Sequence, residues 1–437
     1  MAKKRYAVCG VSSRAIGMYI RPMLTKFDHC AELVAMLDID PLRFQVAKDL
    51  VDGLKDKNVA EYTVTLDNWK EGFDKMVAEQ KPDAVLVVCQ DCYHVNYIVR
   101  GLELDLEVIS EKPMTTNIED ARRVIEAEDK SKGKLICTFN YRYKPAHRKL
   151  REMIIDGKIG RVTHVDLTWY IDIKHGSSYF HRWNRMRENS GSLTIHKSSH
   201  HFDLVSWWVD GVPEYVHAFG ALNHYGPEGE FNPSKKDGRH CNECAERRNC
   251  EYKKRWETRN STIFAADDHI NAYETKVRQF TTYRPDMCMF DSAINIHDTF
   301  VVNVKYKNGV LLNYSANFST PYEGYRLAIN GTRGRLETLE FNNRGVIALE
   351  DPNGGDQYID YYPIFGGKER IHVISSEGGH GGGDPLILED IFLGEDPGRK
   401  FDILAKSVDG LRAISVGDAV YNSIMDGKVQ DLTDFMR

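Results

Sequence analysis

The chain has 437 residues, of which 42% are hydrophobic and 28% charged, and its formal net charge is −6 at pH 7. These values are typical of a globular protein long enough for two domains, and they exclude wholesale disorder. A mildly acidic chain lacks the electrostatic signature of a nucleic-acid-binding protein, and no apolar run approaches the roughly 20 residues of a membrane helix. No signal-peptide pattern opens the chain, and nine cysteines, an odd number, do not suit a disulfide scaffold. We therefore expect a cytoplasmic protein with neither nucleic-acid nor membrane partners.

Short apolar runs alternate with helical patterns in the first part of the chain. The predicted strands are residues 5–9, 31–37, 83–89, 106–110 and 134–139, and the predicted helices run up to Leu24 and over 41–51 and 117–130. Nearly continuous apolar strands separated by helices are typical of a parallel sheet covered on both faces. The sequence therefore predicts an α/β fold with an N-terminal Rossmann domain, a doubly wound parallel sheet, over residues 1–125.

The pattern changes after about residue 160. Longer strand-like runs dominate at 162–171, 299–306 and 309–318, and Lys307-Asn-Gly309 predicts a hairpin turn. The polar stretch 226–262 has little periodicity and predicts an irregular insertion. We expect a C-terminal α+β domain, residues 126–437, with a large, mostly antiparallel open sheet.

A glycine-containing turn, Gly10-Val-Ser-Ser-Arg-Ala15, separates the first strand from the first helix. It is a variant of G-x-G-x-x-G/A, in which a small second residue lets the backbone approach a pyrophosphate at the helix N-terminus. Asp38 ends the second strand, where a carboxylate can accept hydrogen bonds from ribose hydroxyls and repels a 2′-phosphate. The pattern favours NAD, although Arg14 facing a 2′-phosphate would allow NADP. The predicted cofactor residues of the turn are Gly10, Ser12, Ser13, Arg14 and Ala15.

Several short motifs become distinctive in combination. They are Val88-Cys-Gln-Asp-Cys-Tyr-His94, Glu111-Lys-Pro113, Asn140-Tyr-Arg-Tyr-Lys-Pro145, Gly157-Lys-Ile-Gly160, His200-His-Phe-Asp203, Tyr306-Lys-Asn-Gly309 and Gly331-Thr-Arg-Gly334. After this nucleotide turn, the set resembles the Gfo/Idh/MocA family of NAD(P)-dependent oxidoreductases, which act mainly on sugars and cyclitols. The resemblance covers nearly the whole chain. It implies a small-molecule carbohydrate substrate and a C-terminal sheet that joins a homodimer or homotetramer.

The same resemblance implies roles for individual residues. Lys112 would lie beside the nicotinamide, where its ammonium hydrogen-bonds the substrate oxygen and stabilises developing charge; the alternative is a surface lysine on a loop. His200 matches the family's catalytic histidine, which relays the hydroxyl proton. The implied cofactor contacts beyond the glycine turn are Asp38, Cys89, His94, Glu111, Lys112 and Asn140.

One segment departs from the family pattern. Many relatives carry an aspartate four residues before the catalytic histidine, where this chain has His196. On a continuous helix His196, His200 and Asp203 would share one face. Three interpretations stay open: a proton relay with Lys112 in which His196 is also catalytic, a divalent metal site, or packing and capping roles for His201 and Asp203.

A polar, aromatic loop precedes that segment. Ring planes beside Arg and His donors suit a sugar, which offers a C–H face and hydroxyls; the alternative is a folded loop with ordinary core aromatics. The predicted substrate-binding residues are Tyr179, His181, Arg182, Trp183 and His201, and weaker candidates are Tyr322, Glu323, Tyr325, Arg326, His380 and Asp384.

Three cysteines of the insertion, Cys241, Cys244 and Cys250, form a C-x2-C-x5-C pattern. The first pair has zinc-knuckle spacing, and Cys250 or His240 could add a ligand to a structural zinc. Because a second C-x2-C pair is missing, reduced cysteines in a surface loop are the favoured interpretation.

These observations lead to three functional hypotheses. The first is an NAD-dependent dehydrogenase acting on a ring hydroxyl of a sugar, glycoside or related polyol. The second is a glycoside hydrolase or lyase that retains NAD and works by transient oxidation and elimination, for which a second histidine supplies an additional acid or base. The third, a non-catalytic NAD-binding sensor, is disfavoured by the presence of Lys112 and His200.

Overall fold

The computed structural model describes residues 2–254, 285–342, 356–374, 376 and 378–435. The predicted insertion at 226–262 therefore lies outside the described residues after residue 254. The described strands are β1 (Lys4–Cys9), β2 (Ala31–Asp38), β3 (Ala60–Thr63), β4 (Ala84–Val87), β5 (Glu107–Ser110), β6 (Lys134–Cys137), β7 (Val162–Asp172), β8 (Pro213–Ala221), β9 (Thr299–Tyr306), β10 (Leu311–Thr320), β11 (Glu323–Gly331), β12 (Gly334–Asn342), β13 (Gln357–Pro363), β14 (Glu369–Val373), β15 (Ala405–Lys406) and β16 (Gln430–Asp431).

The described α-helices are α1 (Arg21–Leu24), α2 (Pro41–Leu50), α3 (Trp69–Gln80), α4 (His94–Glu103), α5 (Ile118–Asp129), α6 (Pro145–Ile155), α7 (Ile173–His181), α8 (Arg187–Ser190), α9 (Leu193–His196), α10 (Ser199–Val209), α11 (Gly379–Leu393, kinked at 380–382) and α12 (Ser407–Asp426). A wide π-type helical segment, Ala15–Ile20, leads into α1. Within the described part of the chain, every helix is too short or too polar to cross a lipid bilayer.

The first sheet has seven strands in the order β15-β6-β5-β4-β1-β2-β3. Strands β1 to β6 are parallel, and β15 adds an antiparallel edge strand beside β6. The chain extends the sheet on one side of β1 and then on the other, so the direction of winding reverses between β1 and β4. In such a sheet the carboxyl ends of the two strands at this switch point open a crevice for a ligand. The predicted Rossmann fold, a doubly wound parallel sheet, is confirmed, and β6 continues this sheet beyond residue 125.

The second sheet has nine strands in the order β14-β13-β12-β11-β7-β10-β9-β8-β16. Strands β7 and β10 pair in parallel, and the other described neighbours pair antiparallel. Helix α12 packs on α10 and on β8, which buries one face of the sheet. The alternating exposure along β9 leaves the opposite face open. The predicted, mostly antiparallel open sheet is therefore confirmed.

Candidate active site

The turn after β1 lies at the switch point of the first sheet. Gly10 has φ +91°, and a Cβ there would lie 2.5 Å from the backbone of Cys89. Ser12 Oγ donates to the carbonyl oxygen of Val88 at 3.1 Å and accepts from the N–H of Ala15 at 3.2 Å. The turn is thus held against the end of β4. Because Gly10 has no Cβ, the backbone of the turn stays open to the close approach of a pyrophosphate.

Asp38 stands at the carboxyl end of β2, beside this turn. Its two carboxylate oxygens accept from the N–H groups of Val11 at 2.7 Å and Asp40 at 3.0 Å, and Arg43 Nε lies 3.6 Å away. Burial raises the pKa of Asp38. A cavity of about 110 Å³ opens here, lined by Gly10, Leu37, Asp38, Ile39, Arg43, Leu66, Trp69, Cys89, Gln90, Tyr93, Asn96 and Tyr97. Aromatic and apolar walls around one carboxylate fit the adenosine half of a dinucleotide.

Arg14 is held by two carboxylates. Its Nε donates to Glu111 Oε1 at 2.7 Å, and its two terminal nitrogens donate to Asp384 at 3.2 and 3.4 Å. Burial alone would raise the pKa of Glu111, but the charge and hydrogen bond of Arg14 outweigh it and lower that pKa. Asn140 also donates to Asp384, and His380 Nδ1 lies 2.9 Å from it. The predicted cofactor residues Arg14, Glu111 and Asn140 therefore meet in one network that ties the glycine turn to α11.

Lys112 lies in the loop after β5, at the same edge of the sheet. Its ammonium donates to the carbonyl oxygen of His196 at 3.0 Å. Burial lowers the pKa of Lys112 to about 8. The ring of His94 bridges the neighbouring loops, with Nδ1 2.8 Å from the Pro113 carbonyl oxygen and Nε2 3.1 Å from that of Cys89. His94 thus connects the loop after β4 to the loop after β5, which carries Lys112.

His196 makes a contact that the sequence did not predict. Its Nδ1 lies 2.5 Å from Asp91 Oδ2, and its Nε2 lies 3.1 Å from Asn184 Nδ2. Burial lowers the pKa of His196, and the charge of Asp91 partly opposes that effect. The available signal for Asp91 was its place in the loop after β4, because carboxyl ends of parallel strands converge at one edge of a sheet.

The segment 196–203 is not one continuous helix. His196 ends α9, and α10 begins at Ser199, so His196 does not share a helix face with His200 and Asp203. The ring of His200 stacks on Tyr141 with centroids 4.1 Å apart. Asp203 instead accepts two hydrogen bonds from Arg142, at 2.6 and 2.8 Å.

His200 is buried, and its surroundings disfavour the charged form of its ring. Burial, with added repulsion from Lys112 and Lys197, lowers the pKa of His200 well below its ordinary value. Its Nδ1 is buried and has no hydrogen-bond partner among the described residues. Lys197, for which the sequence predicted no role, is only 5% exposed and donates to the Tyr141 hydroxyl at 2.9 Å. An imidazole with a lowered pKa, the buried amine of Lys197 and the partly buried amine of Lys112 therefore meet at this site.

The predicted substrate residues separate into two groups. The rings of Tyr179 and Trp183 stand edge-on to His196, with centroids 5.5 and 5.6 Å away, and Arg182 lies between them in the chain. His181 instead lies against the insertion and the segment after it, with Nδ1 3.8 Å from Cys241 Sγ and 2.6 Å from the Met287 carbonyl oxygen. His201 has no exposed surface, because it stacks on Trp169 at 3.8 Å and its Nδ1 lies 2.7 Å from the Tyr314 hydroxyl.

The nine cysteines are all free thiols. Cys241, Cys244 and Cys250 line one cavity of about 20 Å³ together with Cys288. As the described side chains stand, no group of three or more His, Cys, Asp or Glu residues is arranged to hold a metal ion.

Two family models match this chain, one over each half of the fold. The family model described as "Oxidoreductase family, NAD-binding Rossmann fold" (Gfo/Idh/MocA) matches residues 4–139, and its "C-terminal alpha/beta domain" matches residues 151–432. A candidate oxidoreductase named YteT, from Bacillus subtilis (strain 168), is 50% identical over 426 residues, or 97% of both chains.

Two further relatives carry names that mention sugars. A D-xylose 1-dehydrogenase [NADP(+)] of Haloarcula marismortui is 30% identical over 109 residues, which is 25% of this chain and 29% of the relative. The crystal structure of an aldose-aldose oxidoreductase from Caulobacter crescentus, complexed with glycerol, superposes with a TM-score of 0.62 at 16% identity, over 99% of this chain and 100% of that one. The latter likeness shows the fold alone.

Proposed function

The chain belongs to the Gfo/Idh/MocA oxidoreductase family, and we propose that it is an NAD-dependent dehydrogenase acting on a ring hydroxyl of a sugar, glycoside or related polyol. The observation that carries the proposal is the meeting of Lys112, His196 and His200 at the edge of the first sheet where the glycine turn also lies. Titratable groups with shifted pKa values, gathered beside a dinucleotide crevice, are the arrangement that hydride transfer from an alcohol requires.

The bound nicotinamide would supply the hydride acceptor, and the chain's own groups would handle the substrate oxygen and its proton. The ammonium of Lys112 donates a hydrogen bond to that oxygen and stabilises the negative charge that develops on it. The imidazole of His200, whose pKa is lowered well below its ordinary value, accepts the hydroxyl proton. Because Lys112 is itself held by the carbonyl oxygen of His196, the contact between His196 and Asp91 fixes the direction of the amine.

The residues that we propose to contact the substrate lie at the edge of the cleft around His196. Tyr179 and Trp183 offer ring surfaces for the C–H face of a sugar, and Arg182 and Lys197 offer donors for its oxygens. We leave His181 and His201 out of this set, since one lies against the insertion and the other is enclosed by Trp169 and Tyr314.

We propose NAD rather than NADP as the cofactor. The carboxylate of Asp38 lines the adenosine cleft and would repel a 2′-phosphate. Arg14, the residue that could favour NADP, is neutralised by Glu111 and Asp384. Arg43, which lies beside Asp38, is the group that would favour NADP if the carboxylate were removed.

A second candidate function has a specific observation in its favour. The Asp91–His196 pair gives the site a third acid–base group besides Lys112 and His200. A glycoside hydrolase or lyase that retains NAD needs such a group, because it removes a proton next to the transient ketone before the aglycone leaves. In that cycle the hydride returns to the substrate, and no free cofactor is consumed.

The experiment that separates these functions measures cofactor retention. Purified protein is dialysed extensively and denatured, and released NAD(H) is quantified; the dialysed protein is then assayed for NAD reduction with neutral sugars, polyols and glycosides. We expect little released cofactor, binding restored by added NAD, and NADH formed in step with oxidised product. Close to one equivalent per chain, with aglycone release and no net NADH, would favour the second function. No binding of either NAD or NADP would overturn both.

Two further features belong to the proposal. We propose that the chain forms a homodimer or homotetramer through the open face of the second sheet. We also place the activity in the cytoplasm, a reducing compartment in which free thiols persist.

A further inference from the structure

The insertion and the segment after it are joined by backbone contacts. The N–H of Cys241 donates to the Asp286 carbonyl oxygen at 2.7 Å, and the N–H of Cys288 donates to that of Arg239 at 2.8 Å. His240 and Met287 form an isolated antiparallel bridge between these bonds. This pairing brings Cys288, which lies far from the other three cysteines in sequence, to the C-x2-C-x5-C pattern.

The four cysteines enclose a single small space. Cys241, Cys244, Cys250 and Cys288 all line the cavity of about 20 Å³, together with Pro233, Arg239, Arg247 and Lys253. That volume accommodates one ion and is too small for an iron–sulfur cluster. The cationic side chains around it would offset the negative charge of four thiolates on a divalent ion.

We propose that Cys241, Cys244, Cys250 and Cys288 bind one structural zinc ion. Four thiolates in tetrahedral geometry, at about 2.3 Å from the metal, are a closed structural zinc site. Binding releases the thiol protons to solvent and changes no oxidation state. The four described thiols are not arranged at metal–sulfur spacing. Rotation about one side-chain torsion per cysteine moves each sulfur toward or away from the shared cavity, so closure of the site accompanies metal binding.

The site would fasten a part of the chain that contributes to the proposed cleft. Cys241 Sγ lies 3.8 Å from His181 Nδ1, at the end of α7, and Tyr179 on the same helix packs against His196. The insertion around 226–254 is polar and supplies little apolar surface of its own. A metal cross-link is a common way to order such a segment.

The test is the zinc content of protein purified under reducing conditions without chelator, measured by elemental analysis. We expect close to one zinc ion per chain, lost or much reduced in Cys244→Ser and Cys288→Ser and unchanged in Cys30→Ser, a free cysteine of the first domain. Replacement by Co²⁺ should give the thiolate-to-cobalt absorption of tetrahedral sulfur ligation, and removal of zinc should expose four more reactive thiols.

Three outcomes would overturn the proposal. They are a reduced chain that contains no zinc and takes up none on titration, wild-type zinc content in Cys288→Ser, and iron with sulfide in place of zinc. If Cys288→Ser does not fold, the cobalt spectrum and thiol count of the wild-type chain decide the question by themselves.

Discussion

Lys112 is the residue on which the proposed chemistry depends most directly. Its partly buried ammonium donates to the His196 carbonyl oxygen and is placed to donate to a substrate oxygen as well. Lys112→Ala removes that donor, and we expect kcat to fall by about 10² or more. The affinity for NAD should change little, because the adenosine cleft around Asp38 is built from other residues. Steady-state kinetics with a parallel NAD titration measures both quantities.

The pH dependence provides the control for this prediction. Because burial lowers the pKa of Lys112 to about 8, its positive charge is present below that pH and is lost as the pH rises through it. The wild-type rate should therefore decline above about pH 8, and Lys112→Ala should lack that decline. Lys134→Ala, which changes an exposed lysine, should keep both the wild-type rate and its decline at high pH. Wild-type turnover in Lys112→Ala would remove this residue from the mechanism.

Asp91 acts through His196, so its effect should appear in the pH profile. The carboxylate raises the pKa of His196 against the larger, lowering effect of burial. Asp91→Asn keeps the size of the side chain and removes the charge, so the pKa of His196 should fall further and the acid limb of the rate profile should move to lower pH. We also expect kcat to fall by about 10², since Lys112 loses its fixed support.

A purely structural role would give a different result for Asp91→Asn. Protein with a lowered melting temperature but an unshifted acid limb would contradict the assignment of Asp91 as a positioning residue. Asp28→Asn, a change at an exposed carboxylate of the same domain, is the matched control and should leave rate and profile unchanged.

At the scale of elements, the glycine turn joins cofactor binding to the fold. Gly10→Ala places a methyl group 2.5 Å from the Cys89 backbone, at a φ of +91° that L side chains rarely adopt. We expect a loss of about 1–3 kcal/mol in the free energy of unfolding from the backbone strain and a larger loss of NAD affinity. Chemical denaturation and an NAD titration measure the two effects.

Gly17→Ala is the matched control for that substitution. Gly17 lies in the helical segment that follows the turn, and a Cβ there would meet nothing within 4 Å. Alanine in a helix is favoured over glycine by about 0.5–1 kcal/mol, so this variant should be as stable as wild type or slightly more stable. Equal NAD affinity in Gly10→Ala and Gly17→Ala would contradict the role given to the turn.

The elements also show where sequence reasoning succeeds. Strand β9 (Thr299–Tyr306) has the predicted bounds, and β1 and β2 differ from theirs by one residue, because apolar runs bounded by turn residues define buried strands. The continuous helix that would have placed His196, His200 and Asp203 on one face does not form, for a physical reason. The helical spacing of its residues continues through the break at Lys197 and Ser198, where tertiary contacts with Tyr141 and Tyr314 decide the path of the chain.

The site could be predicted only where its residues carry a local pattern. The glycine turn, Asp38 and Lys112 lie at or just after the carboxyl ends of strands, so their common edge follows from the parallel sheet. Asp91 and Cys288 acquire their neighbours through sheet topology and backbone pairing between distant segments. Their partners are far away in sequence. The position of Asp91 after β4 indicates the sheet edge but not the contact with His196, and no spacing rule indicates the approach of Cys288 to the other three cysteines.

At the scale of the whole molecule, the open face of the second sheet exposes apolar side chains, which a monomer would leave in contact with water. A row of outward positions crosses it from Phe219 on β8 through Val301 and Ser315 to Thr168 on β7. Phe219 is 66% exposed and Val301 47%. Farther along, a shallow cavity of about 460 Å³ carries both signs of charge, from Asp166, Arg326, Arg335, Glu337, Asp360 and Arg370.

Such a surface suits a second copy of the same chain. In a twofold interface each patch meets its own copy in the opposite direction, so apolar residues and mixed charges can satisfy one another. We therefore expect a dimer or tetramer in sedimentation velocity experiments. The double variant Phe219→Asp with Val301→Asp introduces buried, unpaired charges on both sides of the interface and should shift the protein toward monomer.

The control for this last prediction is Ile155→Asp, which changes an exposed apolar residue on α6, away from the sheet face, and should leave the molar mass unchanged. The monomeric double variant should still bind NAD, because the crevice between β1 and β4 lies in the other sheet. A wild-type chain that sediments as a monomer at micromolar concentration would contradict the assignment of this face. Loss of NAD affinity in step with dissociation would instead mean that association supports the first domain as well.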